Sequence, residues 1–226
     1  MCGRYALHGP SSRIREQFDL NGEFDFGPRY NIAPTMKVLV VHPGQRGERA
    51  ASIYRWGLIP SWAKDVSIGA KLINARGETV AEKPAFRAAF RRWRCIVPAS
   101  GFYEWRAVQE AGRTIKQPYF IRPREKGDLF GFAGLTERWV SPEGEEVRTC
   151  CIITTDANEL MMPIHNRMPV ILGFDDYGAW LASDNIEVVS LRALLRPAAA
   201  DGMIAYKVCR AVNSSRGDSS TFVEAV

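Results

Sequence analysis

No apolar stretch in the 226 residues approaches the roughly 20 needed to span a bilayer, and the start lacks the charged-then-apolar pattern of a secretory signal. A cytoplasmic location is therefore expected. The cysteines, Cys2, Cys95, Cys150, Cys151 and Cys209, are odd in number and include no CxxC pair, which argues against a disulfide framework and a zinc ribbon. Neither a metal nor a cofactor is expected. Histidine is scarce, with only His8, His42 and His165 present, so imidazole chemistry has few candidate carriers. There is no internal repeat, no low-complexity tract and no regular alternation of strand and helix, which argues against solenoids and doubly wound parallel sheets.

What is present suffices for one core. Hydrophobic residues make up 46% of the chain, aromatics 11% and charged residues 24%, so a single domain over 1–226 is the simplest organisation. The formal charge of +5 suits a polyanionic partner without requiring one. Helical periodicity is clearest over 82–93, where Phe86, Phe90 and Trp93 recur behind Pro84, and 175–182 and 187–195 are shorter candidates. Strands are predicted over 37–41, 52–57, 94–97, 119–122, 129–135 and 149–154, with hairpin connections at 44–47 and 141–146. The order predicts an α+β domain with largely antiparallel sheet. The stretch 213–220 is polar enough to predict a mobile tail.

The opening Met1-Cys2-Gly3-Arg4 has the small second residue that permits trimming of the initiator, which would make Cys2 the first residue. An α-amine with a pKa of about 7.7 to 8.0 would then adjoin a thiol of about 8.5, leaving part of the amine uncharged near neutrality. Such a 1,2-aminothiol reacts with an aldehyde in two steps: the amine forms a Schiff base and the thiol closes a thiazolidine ring. The competing reading is an inert cysteine at position two. Cys95, Cys150, Cys151 and Cys209 lie in hydrophobic runs and read as small packing residues.

Six tracts in fixed order carry further information: Cys2-Gly3-Arg4-Tyr5, Arg29-Tyr30-Asn31-Ile32-Ala33-Pro34, the run from Arg55 to Trp62, Asn74-Ala75-Arg76 with Gly77-Glu78-Thr79, Gly101-Phe102-Tyr103-Glu104-Trp105, and Pro163-Ile164-His165-Asn166-Arg167-Met168-Pro169. Together they resemble the SRAP family, the SOS response-associated peptidase family of abasic-site processing proteins. The resemblance implies a barrel-like β-sheet core with a few peripheral helices. It implies that Cys2 forms the thiazolidine with the ring-opened deoxyribose of an abasic site in single-stranded DNA, with nucleoid association when bound.

On the same resemblance Asn74 hydrogen-bonds near the reacting amine, Glu104 takes protons from the amine or thiol and holds the sugar hydroxyl, and His165 protonates the ring oxygen to open the sugar. Arg4 and Arg76 would clamp flanking phosphates, Trp62 and Trp105 would stack on bases, and Pro34 would lie near the strand junction. Each has a plainer competitor: a turn cap for Asn74, a strand-edge carboxylate for Glu104, a core imidazole for His165 and core packing for Trp105. Two positions depart from the family pattern, Ala63 where a second aromatic is common and Thr35 where glycine is common. Arg87, Arg91, Arg92 and Arg94 read as an ordinary solvated face that could extend the basic surface.

Schiff-base chemistry also permits strand cleavage by β-elimination, and a Cys, Glu and His set is compatible with autopeptidase activity. The rival enzyme class is an N-terminal-nucleophile amidohydrolase that uses Cys2. A rival of another kind is a non-catalytic reader of modified or single-stranded DNA. A monomer is expected, since one strand requires one copy.

Overall fold

The computed structural model describes every residue except Met1, Glu23, Lys126, Ser183, Asn185 and Ile186. The expected removal of Met1 therefore lies outside the described residues. In chain order the elements are β1 (Tyr5–Leu7), α1 (Ser11–Phe18), β2 (Arg29–Ile32), β3 (Lys37–Pro43), β4 (Arg49–Trp56), β5 (Asn74–Arg76), α2 (Arg87–Arg92), β6 (Arg94–Ala99), β7 (Gly101–Glu110), β8 (Arg113–Pro123), β9 (Phe130–Val140), β10 (Glu146–Asp156), β11 (Arg167–Pro169), β12 (Ile171–Leu172), α3 (Asp176–Leu181), α4 (Val188–Ala193) and β13 (Met203–Lys207).

The strands form two sheets. In one, β10, β4, β3, β6 and β9 pair in succession, and β9 pairs back onto β10, so the sheet closes into a ring. Closure removes the two free edges that an open sheet would expose. Among the described residues every ladder is antiparallel except those joining β10 to β4 and β10 to β5. The second sheet, ordered β13, β8, β7, β1, β2, is open. The expected α+β class with mostly antiparallel sheet holds, and the hairpins β3–β4 and β9–β10 close at the predicted turns.

Large side chains fill the ring. Tyr5 stands edge-on to Trp56 and Phe132 with centroids 5.3 and 6.1 Å apart. Burying side chains of this kind contributes about 1.5–3 kcal/mol each. The ring interior is thus packed core. The open sheet is covered on both faces: Tyr5, Leu7, Phe102 and Ile121 join the main core, while Ala6, Tyr103 and Phe120 pack against Val208, Val212 and Phe222 from the C-terminal segment.

That second layer bears on the stretch expected to be mobile. Asn31 Nδ2 donates to the carbonyls of Ser214 and Gly217, at 2.9 and 2.7 Å, and Asp218 accepts from Arg29 Nε and the Tyr30 amide. Its polar residues satisfy backbone and side-chain partners on β2 instead of facing water alone.

Arg94 departs most clearly from the sequence reading. It is buried, and its guanidinium donates to the carbonyls of Phe90 and Arg91 at the end of α2 and to those of Trp180 and Ala182 at the end of α3. One cation thereby satisfies the orphan carbonyls of two helix C-termini, where the backbone dipoles favour positive charge.

Candidate functional site

The site is built where β1, β5, β7 and the turn before β11 meet. Tyr5 pairs with Phe102, and the Tyr103 amide donates to the Arg4 carbonyl at 3.0 Å, so the chain upstream of Tyr5 runs back beside Glu104. Cys2 is fully buried there, and its Sγ lies 4.0 Å from the Arg4 carbonyl oxygen. Burial, followed by the nearby Glu104 carboxylate, pushes the Cys2 thiol well up. Free thiolate is correspondingly scarce.

Asn74 reaches the same place from β5, whose short run is held in parallel register by Ile152, Ile153 and Thr154 of β10. The preceding Ile73 carbonyl accepts from the Ile152 amide at 3.0 Å and from Trp56 Nε1 at 2.9 Å, which fixes the entry to the strand. Asn74 Nδ2 donates to the Cys2 carbonyl at 2.8 Å. Its Oδ1 is buried with no hydrogen-bond partner among the described residues, an acceptor that ordinarily costs stability.

Glu104 is 3% exposed on β7, and burial pushes its carboxyl up to about 7. It lines a cleft of about 430 Å³ together with Trp105, Lys116, His165 and Asn213. His165 ends a turn in which its own amide donates to the Met161 carbonyl at 2.9 Å. The Arg167 amide donates to His165 Nδ1 at 3.0 Å, so the neutral ring carries its proton on Nε2. Burial lowers the His165 pKa, and a second proton on Nδ1 would displace the Arg167 bond. The acid role expected of an imidazolium is weakened by this, whereas Glu104 is the group balanced near neutrality.

The remaining candidates divide. Arg76 is exposed at the end of β5, two residues from Asn74 and thus on the same strand face. Trp105 is half-buried and donates from Nε1 to Asn213 Oδ1 at 2.6 Å. Arg4 lies over the Trp105 ring at 5.9 Å, but its Nη1 donates to Asn31 Oδ1 and the Val212 carbonyl, at 2.6 and 2.8 Å. Much of its fork is committed to joining β1, β2 and the C-terminal segment. Pro34 is half-buried, and Thr35 after it adopts φ of 72°, the conformation in which a glycine would be unstrained. Trp62 is 61% exposed and is not among the described residues that line the Glu104 cleft.

The loop bearing Trp62 leaves β4 through Gly57, which has φ of +126°, and a Cβ there would sit 2.5 Å from the Gly69 carbonyl oxygen. Gly57→Ala is expected to lower stability by roughly 2–4 kcal/mol, since backbone and backbone collide and neither can turn aside. Urea denaturation of the two proteins checks this, and an unchanged midpoint would contradict the close approach.

Sequence reasoning missed two residues. Arg167 holds Glu78 through both carboxylate oxygens, at 2.7 and 2.9 Å, and also bonds Asp156 Oδ1 and the Thr154 carbonyl, each at 2.7 or 2.8 Å. It ties the His165 turn to the turn after β5, and the signal was its place two residues after His165. Lys116 lines the cleft from β8, and nothing in its local sequence marks it. A larger cleft of about 860 Å³, walled by Ile14, Phe120, Leu129 and Tyr206, contains none of the predicted site residues. Among the described residues there is no group of three His, Cys, Asp or Glu side chains able to hold a metal, and no helix is long and apolar enough to cross a membrane.

The chain is 44% identical to the abasic site processing protein YoqW of Bacillus subtilis (strain 168), covering 99% of each. It is 30% identical to the abasic site processing protein HMCES of Rattus norvegicus, over 97% of this chain and 74% of that one. A solved structure of a protein from Bacteroides thetaiotaomicron superposes with a TM-score of 0.86 at 26% identity, covering 100% of both chains. The model of the SOS response associated peptidase (SRAP) family matches residues 1–215, and the chain belongs to that family.

Proposed function

We propose that this protein captures abasic sites in single-stranded DNA by condensing the exposed deoxyribose aldehyde with the α-amine and thiol of Cys2, once Met1 is removed. The observation that carries the reading is the convergence of Cys2, Asn74 and Glu104 at the ring's rim, with Glu104 opening onto the cleft that also holds His165. The names of the relatives, abasic site processing proteins, suggest the substrate class.

The neutral amine adds to the aldehyde carbon, and the carbinolamine loses water to give an imine. The thiol then adds across the C=N bond, its sulfur to carbon and its proton to nitrogen, closing the thiazolidine. The net release is one water. Glu104 takes the ammonium proton and returns one to the departing hydroxyl, a cycle that requires both of its forms and is served by a pKa near 7. His165, neutral with a proton on Nε2, donates a hydrogen bond to the sugar oxygen during ring opening. Asn74 holds the Cys2 carbonyl and offers Oδ1 to the amine. Arg76, Arg4, Trp62, Trp105 and Pro34 guide the flanking strand.

An amidohydrolase that attacks through thiolate is disfavoured, because burial opposes ionisation of Cys2. A single copy is sufficient for the chemistry. The test is intact-mass measurement after mixing the trimmed protein with an oligonucleotide bearing one abasic site. The expected product weighs protein plus DNA minus one water and is absent with intact DNA. Only unmodified protein with both DNAs would overturn the reading.

A further inference from the structure

A second cleft of about 430 Å³ lies on the outside of the closed ring, lined by Tyr54 of β4, Trp93 at the end of α2, Thr136, Glu137 and Arg138 of β9, and Arg148 of β10. It shares no lining residue with the Glu104 cleft. Trp93 is 57% exposed even though its spacing from Phe86 and Phe90 predicts a place on the buried stripe. The helix ends at Arg92, and the Thr136 amide then pins the Trp93 carbonyl at 2.8 Å with the indole left outside. A large aromatic held at the surface by its own backbone is an informative exposure.

The cations beside it are unusual for a sheet. Arg138 and Arg148 stand directly opposite each other in the β9–β10 ladder. Like charges so placed are destabilising unless an anion lies between them. Glu146 supplies one, accepting from Arg138 Nε at 2.8 Å and from Arg148 Nε at 3.0 Å. One carboxylate thus serves two guanidinium forks, and a further anion is electrostatically accommodated. Glu137, whose carboxyl burial raises above its ordinary range, offers hydrogen-bonding atoms to a base edge.

We propose that this cleft binds one nucleotide unit of single-stranded DNA, with the base on Trp93 and the phosphate on Arg138 and Arg148. Aromatic faces interleaved with guanidinium groups are the chemistry of sequence-tolerant strand binding. Strand β9, which forms one wall of the cleft, also supports the Trp62 loop. Trp139, three residues past Thr136 on β9, donates from Nε1 to the Ala63 carbonyl beside Trp62 at 2.7 Å. Three residues of strand span about 10 Å, so one strand supports both exposed tryptophans. The inference rests on the reading that the protein handles single strands, and is independent of the covalent step.

The test is fluorescence anisotropy with an intact oligothymidylate of about 20 nucleotides, comparing the parent chain with Trp93→Ala and with the double substitution Arg138→Gln and Arg148→Gln. Affinity is expected to fall roughly tenfold in each. The slope of log affinity against log salt is expected to shrink by up to about 1.4 in the double variant. Adduct formation with an abasic oligonucleotide of about five nucleotides is expected to be unchanged, since the substituted residues line no part of the Glu104 cleft. Competition by thymidine monophosphate would identify the free nucleotide as a ligand of the same site, and its failure to compete would identify the strand. Unchanged affinity and salt slope in variants that retain the parent's melting temperature would overturn the inference. Absence of adduct from the parent would instead count against the covalent chemistry, leaving the anisotropy result to decide the cleft.

Discussion

Glu104→Gln is expected to slow adduct formation by about 10²- to 10⁴-fold, the range contributed by positioned acid–base groups. Glutamine keeps the shape and a hydrogen-bonding oxygen but neither accepts nor returns a proton. The parent rate should peak near pH 7, where both forms of Glu104 are populated. The variant should retain only a slow rise as the α-amine deprotonates at about 7.7 to 8.0. A pH series of single-turnover rates checks this, and a parent-like peak in the variant would remove Glu104 from proton transfer.

The same substitution has a stability consequence of opposite sign. The folded pKa of Glu104 is raised from 4.5 to about 7, so ionisation is disfavoured in the folded state. Stability is therefore lost as pH rises from the unfolded value through the folded one, by up to about 3 kcal/mol at full ionisation. Above pH 7 the variant should melt at a higher temperature than the parent, and below pH 4.5 the two should converge. Stability given up for a reactive carboxyl is a common feature of functional sites.

The second large effect concerns Arg94. Arg94→Ala is expected to cost about 3–5 kcal/mol, because it strands carbonyls at the ends of α2 and α3 in a buried place. Arg94→Lys should recover little, since an ammonium cannot spread its donors across two helices as a planar fork does. Denaturant titration of the three proteins checks this. A loss under 1 kcal/mol for Arg94→Ala would show that water replaces the fork.

Arg94 also shows why part of the fold was illegible. In sequence it is one of a basic set with Arg87, Arg91 and Arg92, and nothing local distinguishes the buried member from the solvated ones. Its role is set by α3, which lies more than 80 residues away in the chain. The predicted helix over 82–93 shrinks to Arg87–Arg92, as turns occupy the residues around Pro84. The strands of the closed ring were legible because they are apolar runs between strong turns. β7 was not, since Gly101 to Glu104 are all buried, and the alternation that marks a half-exposed strand is missing. α1 escaped notice because only Ile14 and Phe18 are buried and its cap position is Pro10.

For the site, the motifs named Cys2, Asn74, Glu104 and His165, and the fold brings Asn74 onto Cys2 and His165 into the cleft of Glu104. Sequence could not foresee that Arg4 would commit its fork to Asn31 and Val212, or that burial would lower the His165 pKa while the Arg167 amide bonds its Nδ1. The first depends on hydrogen bonds between segments far apart in the chain, and the second on burial by the folded structure around a local turn. The departure at Thr35 was visible in sequence, and φ of 72° gives its backbone meaning.

The central claim is that both functional groups of Cys2 join the sugar. The most direct measurement compares parent and Cys2→Ser after each has been mixed with abasic single-stranded DNA, heated in denaturant and digested for peptide mass mapping. The expected result is a heat-stable adduct on the N-terminal peptide of the parent, beginning at Cys2, and none from the serine variant unless a reductant traps its imine first. A heat-stable adduct that survives in the serine variant, or that maps to another residue, would contradict thiazolidine formation at Cys2.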